Sequence, residues 1–298
     1  MIWVTTFGYG TQWTTFGEDM IVLWLACAIT KTTEQVDTAT VEEVSCVGEG
    51  PLITSSTGCI EGVSYQGLSM FLGIPYAEPP VGELRWKRPE PISDWDGIKK
   101  ADVLSSACVQ DDGFGGVVGS EDCLTLNIFR PADWDGITPL PILFFTHGGS
   151  FVAGMGSSNV FEAPPELATK AIVVTHNYRL GAMGFLAHEE LTNEDATAYG
   201  GTGTSGNLGI MDTLAALQWV YDNARAIGGT TDQIMIFGES AGAVSTCVLL
   251  FTDESEGLFS SALIQSGACT SLLNYYKPTV PPVPLHGKKV TTSTQFAP

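Results

Sequence analysis

Ile234-Met-Ile-Phe-Gly-Glu-Ser-Ala-Gly242 runs from four apolar residues into Gly238-Glu239-Ser240-Ala241-Gly242, and the helix-compatible stretch Ala243-Val-Ser-Thr-Cys-Val-Leu-Leu-Phe251 follows. The apolar run reads as a buried strand, and the G-x-S-x-G pattern as a nucleophile elbow, the sharp turn between that strand and the helix. A turn this tight brings backbone close on both sides, so Gly238 and Gly242 stand where side chains would clash. Ser240 is expected in a strained conformation with its hydroxyl exposed, at the positive end of the helix. The pattern occurs once in the chain.

Working outward, Ile142-Leu-Phe-Phe-Thr146, Ile172-Val-Val-Thr175 and Ala262-Leu-Ile-Gln265 share the buried-strand character, while Leu124-Thr-Leu-Asn-Ile-Phe129 alternates. Helical segments fall between several of them; the longest spans residues 208–227, started by Asn207 and stopped by Gly228-Gly229. Short apolar runs alternating with helices predict an α/β fold, a mostly parallel central sheet with helices on both faces. Residues 53–65 read as a hairpin, and residues 71–82 as a proline-rich surface crossing.

The bulk numbers narrow the class. An apolar content of 44% in 298 residues supplies a buried core, and 13 basic against 33 acidic residues give a net charge of -20. Such a charge repels phosphate backbones and anionic membranes, so nucleic acid is excluded as a partner. The seven cysteines include no C-x-x-C, which removes zinc-ribbon and thioredoxin-like readings. Cys108 and Cys123 bracket a polar, glycine-rich loop built to be tied at its base, and Cys46 with Cys59 is a second candidate pair. Cys247, on the apolar elbow helix, reads as a buried free thiol.

Residues 1–29 read as a leader: the ten apolar residues Met20 to Ile29 suit a signal-peptide core, and Leu25-Ala26-Cys27 resembles a lipoprotein cleavage site. No Lys or Arg precedes Lys31, which points to a true start near Met20 or upstream. Residues 30–45 are a polar linker, and residues 46–298 form the folded domain.

A serine alcohol needs a base to take its proton and donors to stabilise the oxyanion formed on attack. His147-Gly148-Gly149-Ser150-Phe151 follows directly on the strand ending at Thr146, where an HGGG-type loop supplies amides, and Ala241 supplies another.

Further stretches join these. Phe71-Leu-Gly-Ile-Pro-Tyr-Ala-Glu-Pro-Pro-Val-Gly-Glu-Leu-Arg-Trp86, Ser120-Glu-Asp-Cys-Leu-Thr-Leu-Asn-Ile128, Asn177-Tyr-Arg-Leu-Gly-Ala-Met-Gly-Phe-Leu186 and Gly206-Asn-Leu-Gly-Ile-Met-Asp212 stand in order along the chain. With the glycine loop and the elbow they resemble the type-B carboxylesterase and cholinesterase family of α/β hydrolases, over residues 52–268. The resemblance implies a serine ester hydrolase without metal or cofactor, with Ser240 as nucleophile and Gly148, Gly149 and Ala241 as the oxyanion hole. It implies a Cys108–Cys123 disulfide, hence a secreted or periplasmic location, and buried ion pairs Arg85–Glu121 and Arg179–Asp212. Cholinesterases place a Trp in the loop where this chain has only Phe114, so a general small-molecule carboxylic ester is the expected substrate.

The departure from the family lies after the elbow. Its acid and histidine follow the serine at a distance, whereas Asp253, Glu254 and Glu256 come too early and His286 is the sole later histidine. The chain therefore reads as an N-terminal part of the domain with the last strands missing, an unpaired sheet edge, and Cys269 without its partner. Two rivals are a non-catalytic cholinesterase-like adhesion module and a lipase with a lid; the intact serine, elbow and glycine loop disfavour the first.

Overall fold

The computed structural model describes residues 2–5, 46–157, 167–267 and 269. Its strands are β1 (Ile2–Thr5), β2 (Leu52–Ser55), β3 (Gly58–Glu61), β4 (Val63–Tyr65), β5 (Leu68–Pro75), β6 (Ile98–Lys100), β7 (Gln110–Asp111) and β8 (Val117–Val118). The remainder are β9 (Thr125–Pro131), β10 (Leu140–Thr146), β11 (Ile172–His176), β12 (Gly229–Glu239) and β13 (Ser261–Gln265). Among the described residues four α-helices accompany them: α1 (Gly181–Phe185), α2 (Glu189–Tyr199), α3 (Leu208–Asp222) and α4 (Ala241–Phe251).

Eight strands form one sheet in the order β1-β13-β12-β10-β11-β9-β5-β4. From β1 to β11 every pairing is parallel, and from β11 to β4 every pairing is antiparallel. The sheet is thus mixed, parallel around the elbow strand and antiparallel in its first-made half. Side chains alternate between two buried layers. Ile142, Phe144, Ile172, Val174, Ile234 and Ile236 face one core, while Leu143, Phe145, Val173 and Phe237 face the other. Burial on both faces is why these strands read as continuous apolar runs. Ala216, Leu217 and Val220 of α3, with Leu249 of α4, cover the first face.

Three expectations change. Residues 71–75 belong to a central strand, not a surface crossing: Phe71 and Ile74 are buried in β5, whose register shifts between them against β9. The bulge at Gly73, with φ of 71°, lets the chain carry Pro75 without breaking the sheet, and Asn127 Oδ1 accepts the Gly73 N–H at 2.9 Å. Helix α3 stops at Asp222, earlier than expected. Asn223 caps it, its amide donating to Trp219 O at 2.9 Å while its Oδ1 accepts Ser56 N–H at 2.7 Å. Finally, the outer edge of β13 is paired. Ile2–Thr5, inside the stretch read as a leader, lies parallel to it with Ile2 opposite Ala262 and Thr5 opposite Gln265. An exposed row of strand N–H and C=O groups accepts such a partner. The remaining leader and linker residues, including Cys27 and the signal-like run, lie outside the described residues, as does His286.

The cysteines also revise one expectation. Cys108–Cys123 and Cys46–Cys59 are bonded, and so are Cys247 and Cys269, which were expected to be unpaired. The turn after β13 carries Cys269 against Ala243, Cys247 and Ile264 beside α4, a proximity that sequence distance conceals.

Candidate active site

The site is built where β12 meets α4. Ser240 is the N-cap of α4 with φ of 54° and ψ of -117°, and its hydroxyl makes no capping bond. Non-glycine residues avoid this region of backbone space, at a cost of order 1–3 kcal/mol, unless their surroundings enforce it. Here the surroundings do. Ser240 N–H donates to Gln265 O at 2.9 Å and Val244 N–H to Ser240 O at 3.1 Å. A Cβ at Gly238 would stand 2.8 Å from Ala243 N, and one at Gly242 2.8 Å from His147 O and 2.7 Å from Thr146 C. Both glycines are where the tight turn requires them.

Across from the elbow lies the loop after β10, the next strand of the sheet. A Cβ on Gly148 would sit 2.9 Å from Glu239 O and 3.1 Å from Ser240 Cβ, so only glycine admits this approach. Gly149 turns with φ of 105°, and Ser150 and Phe151 are left-handed at 55° and 62°. Of the six non-glycine residues with positive φ among the described residues, Ser150, Phe151, Ser240 and Ser266 flank this one place. Ser240 is partly exposed, Ala241 is buried against the elbow and Gly149 faces solvent. Ser240, with Ala241 next in the chain, therefore lies beside Gly148, and Gly149 is one residue further along the same loop.

The three described histidines are structural. The His147 ring stacks on Tyr178 with centroids 4.4 Å apart, and its Nδ1 lies 2.8 Å from Gly148 O. A carbonyl only accepts, so Nδ1 carries the proton and Nε2 is the bare nitrogen, buried with no hydrogen-bond partner. Burial therefore pushes the His147 pKa down to about 4, against the upward pull of the Gly148 carbonyl. His176, stacked on Phe144, is likewise pushed down by burial to about 3 while Nδ1 bonds Asn177 O at 3.1 Å. His188 caps α2 by accepting Glu190 N–H at 3.2 Å. All three are engaged away from a base's role.

Two ion pairs brace the surroundings. Arg179 grips Asp212 through Nε at 2.8 Å, Nη2 at 2.7 Å and its own N–H at 3.0 Å, with the side chains 3% and 0% exposed. Arg85 meets Glu121 in the same forked manner at 2.6 and 2.7 Å, but at 41% and 25% exposure this pair is not buried as expected. Both residues sit on surface loops, where water screens the pair and its contribution is small.

Sequence reading passed over Gln110 and the role of the Asn177 side chain. Gln110 bonds Gly154 on both its N–H and its carbonyl, and Asn177 accepts Gly156 N–H at 2.8 Å. The available signals were the position of Gln110 two residues past Cys108 and that of Asn177 at the head of a quoted motif. Among the described residues no group of three or more His, Cys, Asp or Glu side chains could hold a metal ion, and no helix is long and apolar enough to cross a membrane.

A serine on a strand-to-helix elbow, facing a glycine loop from the adjacent parallel strand of a mixed sheet, defines an α/β hydrolase. Comparison with known proteins narrows the class. Residues 49–285 match the model of the carboxylesterase family. The para-nitrobenzyl esterase of Bacillus subtilis (strain 168) is 39% identical over 231 residues, 74% of this chain and 44% of that protein. The fumonisin B1 esterase of Sphingopyxis macrogoltabida is 38% identical over 76% of this chain and 42% of its own length. A solved PNB esterase superposes with a TM-score of 0.65 at 39% identity, covering 74% of this chain and 44% of that one. A carboxylesterase from Geobacillus stearothermophilus gives 0.64 at 41% identity, over 73% and 43%. The chain belongs to the carboxylesterase family, and it spans less than half the length of these relatives.

Proposed function

We propose that the chain carries the acyl-accepting part of a serine carboxylic ester hydrolase. Ser240 Oγ attacks the carbonyl carbon of a small-molecule carboxylic ester, and the amides of Gly148, Gly149 and Ala241 receive the developing oxyanion. Collapse of the tetrahedral intermediate expels the alcohol, and water then hydrolyses the acyl-enzyme on Ser240. The observation that carries this reading is the strained Ser240 held at the head of α4, within side-chain distance of Gly148. The α4 dipole adds partial positive charge where the oxyanion forms.

No described histidine is placed to act as the base. In this reading the chain is the N-terminal part of such an enzyme, and an acid and a histidine that this chain does not carry complete the relay. General-base assistance contributes about 10²- to 10⁴-fold, so the 298-residue chain turns over p-nitrophenyl butyrate at least about 10²-fold more slowly than a complete esterase. Three disulfides support export to an oxidising, secreted or periplasmic compartment.

The test is covalent labelling by a fluorophosphonate, followed by peptide mass analysis. Slow, stoichiometric labelling at Ser240 that Ser240→Ala abolishes is the expected result. Labelling that survives Ser240→Ala, or turnover by the chain alone at the rate of a complete esterase, would overturn the reading.

A further inference from the structure

The glycine loop opposite Ser240 is tied in part by its own backbone: Val152 and Ala153 N–H donate to Gly149 O at 3.0 Å, and Gly181 N–H donates to Phe151 O at 2.7 Å. Gly149, Ser150, Phe151 and Gly154 all have positive φ, and Gly148 and Gly149 have no side chains to pack. Backbone of this kind relaxes unless it is held from outside.

A pair of side-chain amides holds its far end, at Gly154 and Gly156. Gln110 Nε2 donates to Gly154 O at 2.9 Å while its Oε1 accepts Gly154 N–H at 2.9 Å, so the two amides pair face to face. The same Nε2 donates to Cys108 O at 3.0 Å. Asn177, buried, accepts Gly156 N–H at 2.8 Å through Oδ1, and through Nδ2 donates to Ser106 O at 3.0 Å and Cys123 O at 3.1 Å. Each clamp has one end on the loop and the other on a cysteine of the Cys108–Cys123 disulfide. Gly154 packs closely beside the oxyanion loop: a Cβ on it would lie 2.8 Å from Gly148 O and 2.5 Å from His147 Nδ1, the ring nitrogen that bonds Gly148 O at 2.8 Å.

We propose that Gln110 and Asn177 are positioning residues that use the Cys108–Cys123 crosslink as an anchor to hold the Gly148 and Gly149 amides opposite Ser240. The proposal rests on the assignment of Ser240 as nucleophile, yet its test can fail separately.

Amide hydrogen exchange of the oxidised chain, read by mass spectrometry on the peptide covering residues 148–154, needs no turnover. Gln110→Ala is expected to speed exchange there about tenfold, the size that follows from losing one or two hydrogen bonds of this kind, with little change in thermal midpoint. A Cys108→Ala, Cys123→Ala double variant, which leaves the other two disulfides intact, is expected to speed exchange of the same peptide, with a lower thermal midpoint from the lost crosslink. Gln110→Glu separates positioning from packing, since the side chains match in size. At neutral pH its carboxylate has no proton to give the carbonyls of Gly154 and Cys108, and the peptide exchanges faster than in wild type. Once protonated, the carboxyl both donates to Gly154 O and accepts its N–H but leaves the Cys108 carbonyl without its donor, and the ratio to wild type falls toward one; His147 titrates in both proteins and cancels. Unchanged exchange in Gln110→Ala, or a Gln110→Glu ratio that stays flat with pH, overturns the proposal. If wild type resists fluorophosphonate while exchange behaves as expected, the clamp stands and the assignment of Ser240 falls.

Discussion

Asp212→Ala isolates a single interaction whose size the structure allows to be worked out. Asp212, wholly buried on α3, receives the Arg179 Nε, Nη2 and main-chain N–H, and Arg179 Nη1 continues to Lys87 O at 2.8 Å. Removing the carboxylate leaves a guanidinium 3% exposed with no counter-charge and a main-chain donor with no acceptor. Breaking a buried pair from one side costs about 3–5 kcal/mol. At roughly 2–4 °C per kcal/mol for a domain of this size, the thermal midpoint falls by about 6–20 °C. Asp212→Asn keeps one acceptor oxygen and loses less. Replacing both partners with apolar residues, Arg179→Met with Asp212→Leu, recovers most of the loss, because the desolvated charge goes with its partner. Thermal melting and urea titration of the oxidised chain, followed by circular dichroism, measure all four proteins. A single variant within about 1 kcal/mol of wild type, or a double variant as unstable as the single, would refute the reasoning.

Two further outcomes follow from the site. Gly242→Ala would place a Cβ 2.7 Å from Thr146 C, where apolar contact needs about 3.5 Å, and main chain on both sides cannot yield as a side chain could. Helix α4 then shifts by something near 1 Å, and a misplacement of that size lowers the fluorophosphonate labelling rate of Ser240 by about 10²-fold; a rate within twofold of wild type contradicts it. Acid weakens the fold through the two buried histidines, whose folded-state pKa values of about 4 for His147 and about 3 for His176 lie below the ordinary 6.5. The unfolded chain binds these protons first, so their stabilisation is complete above pH 6.5 and is lost as pH falls toward 4 and 3. Each removes roughly 1.4 kcal/mol per pH unit in that window. Urea midpoints that do not fall between pH 6.5 and 4.5 would show that these rings are hydrated.

The parallel half of the sheet was legible because burial on both faces leaves no polar residue to interrupt runs such as Ile142 to Phe145. The elbow was legible because two glycines and a serine at fixed spacing state a backbone geometry as well as a composition. Strand β5 was hidden: Gly73 and Pro75 are breakers in most strands, and only the partner strand β9, with Asn127 bonding the bulge, makes them compatible. The Cys247–Cys269 bond was hidden for a related reason, since it depends on how α4 docks beside β13. The same holds for Gln110, whose neighbours in sequence say nothing of Gly154. Local geometry is written locally, and contacts that span the fold are not.

The spatial order of the central sheet has a consequence for vectorial synthesis. Counted from β4, the strands lie as 4-5-9-11-10-12-13, close to the order in which they leave a ribosome or translocon. Each emerging strand except β10 meets an edge already in place, and β10 waits only for β11. The elbow is assembled near the end of this growth, so a half-emerged chain carries no organised hydroxyl. Strand β1 breaks the sequence: translated first, it docks last, and until β13 arrives its backbone must stay solvated or be sheltered by a chaperone.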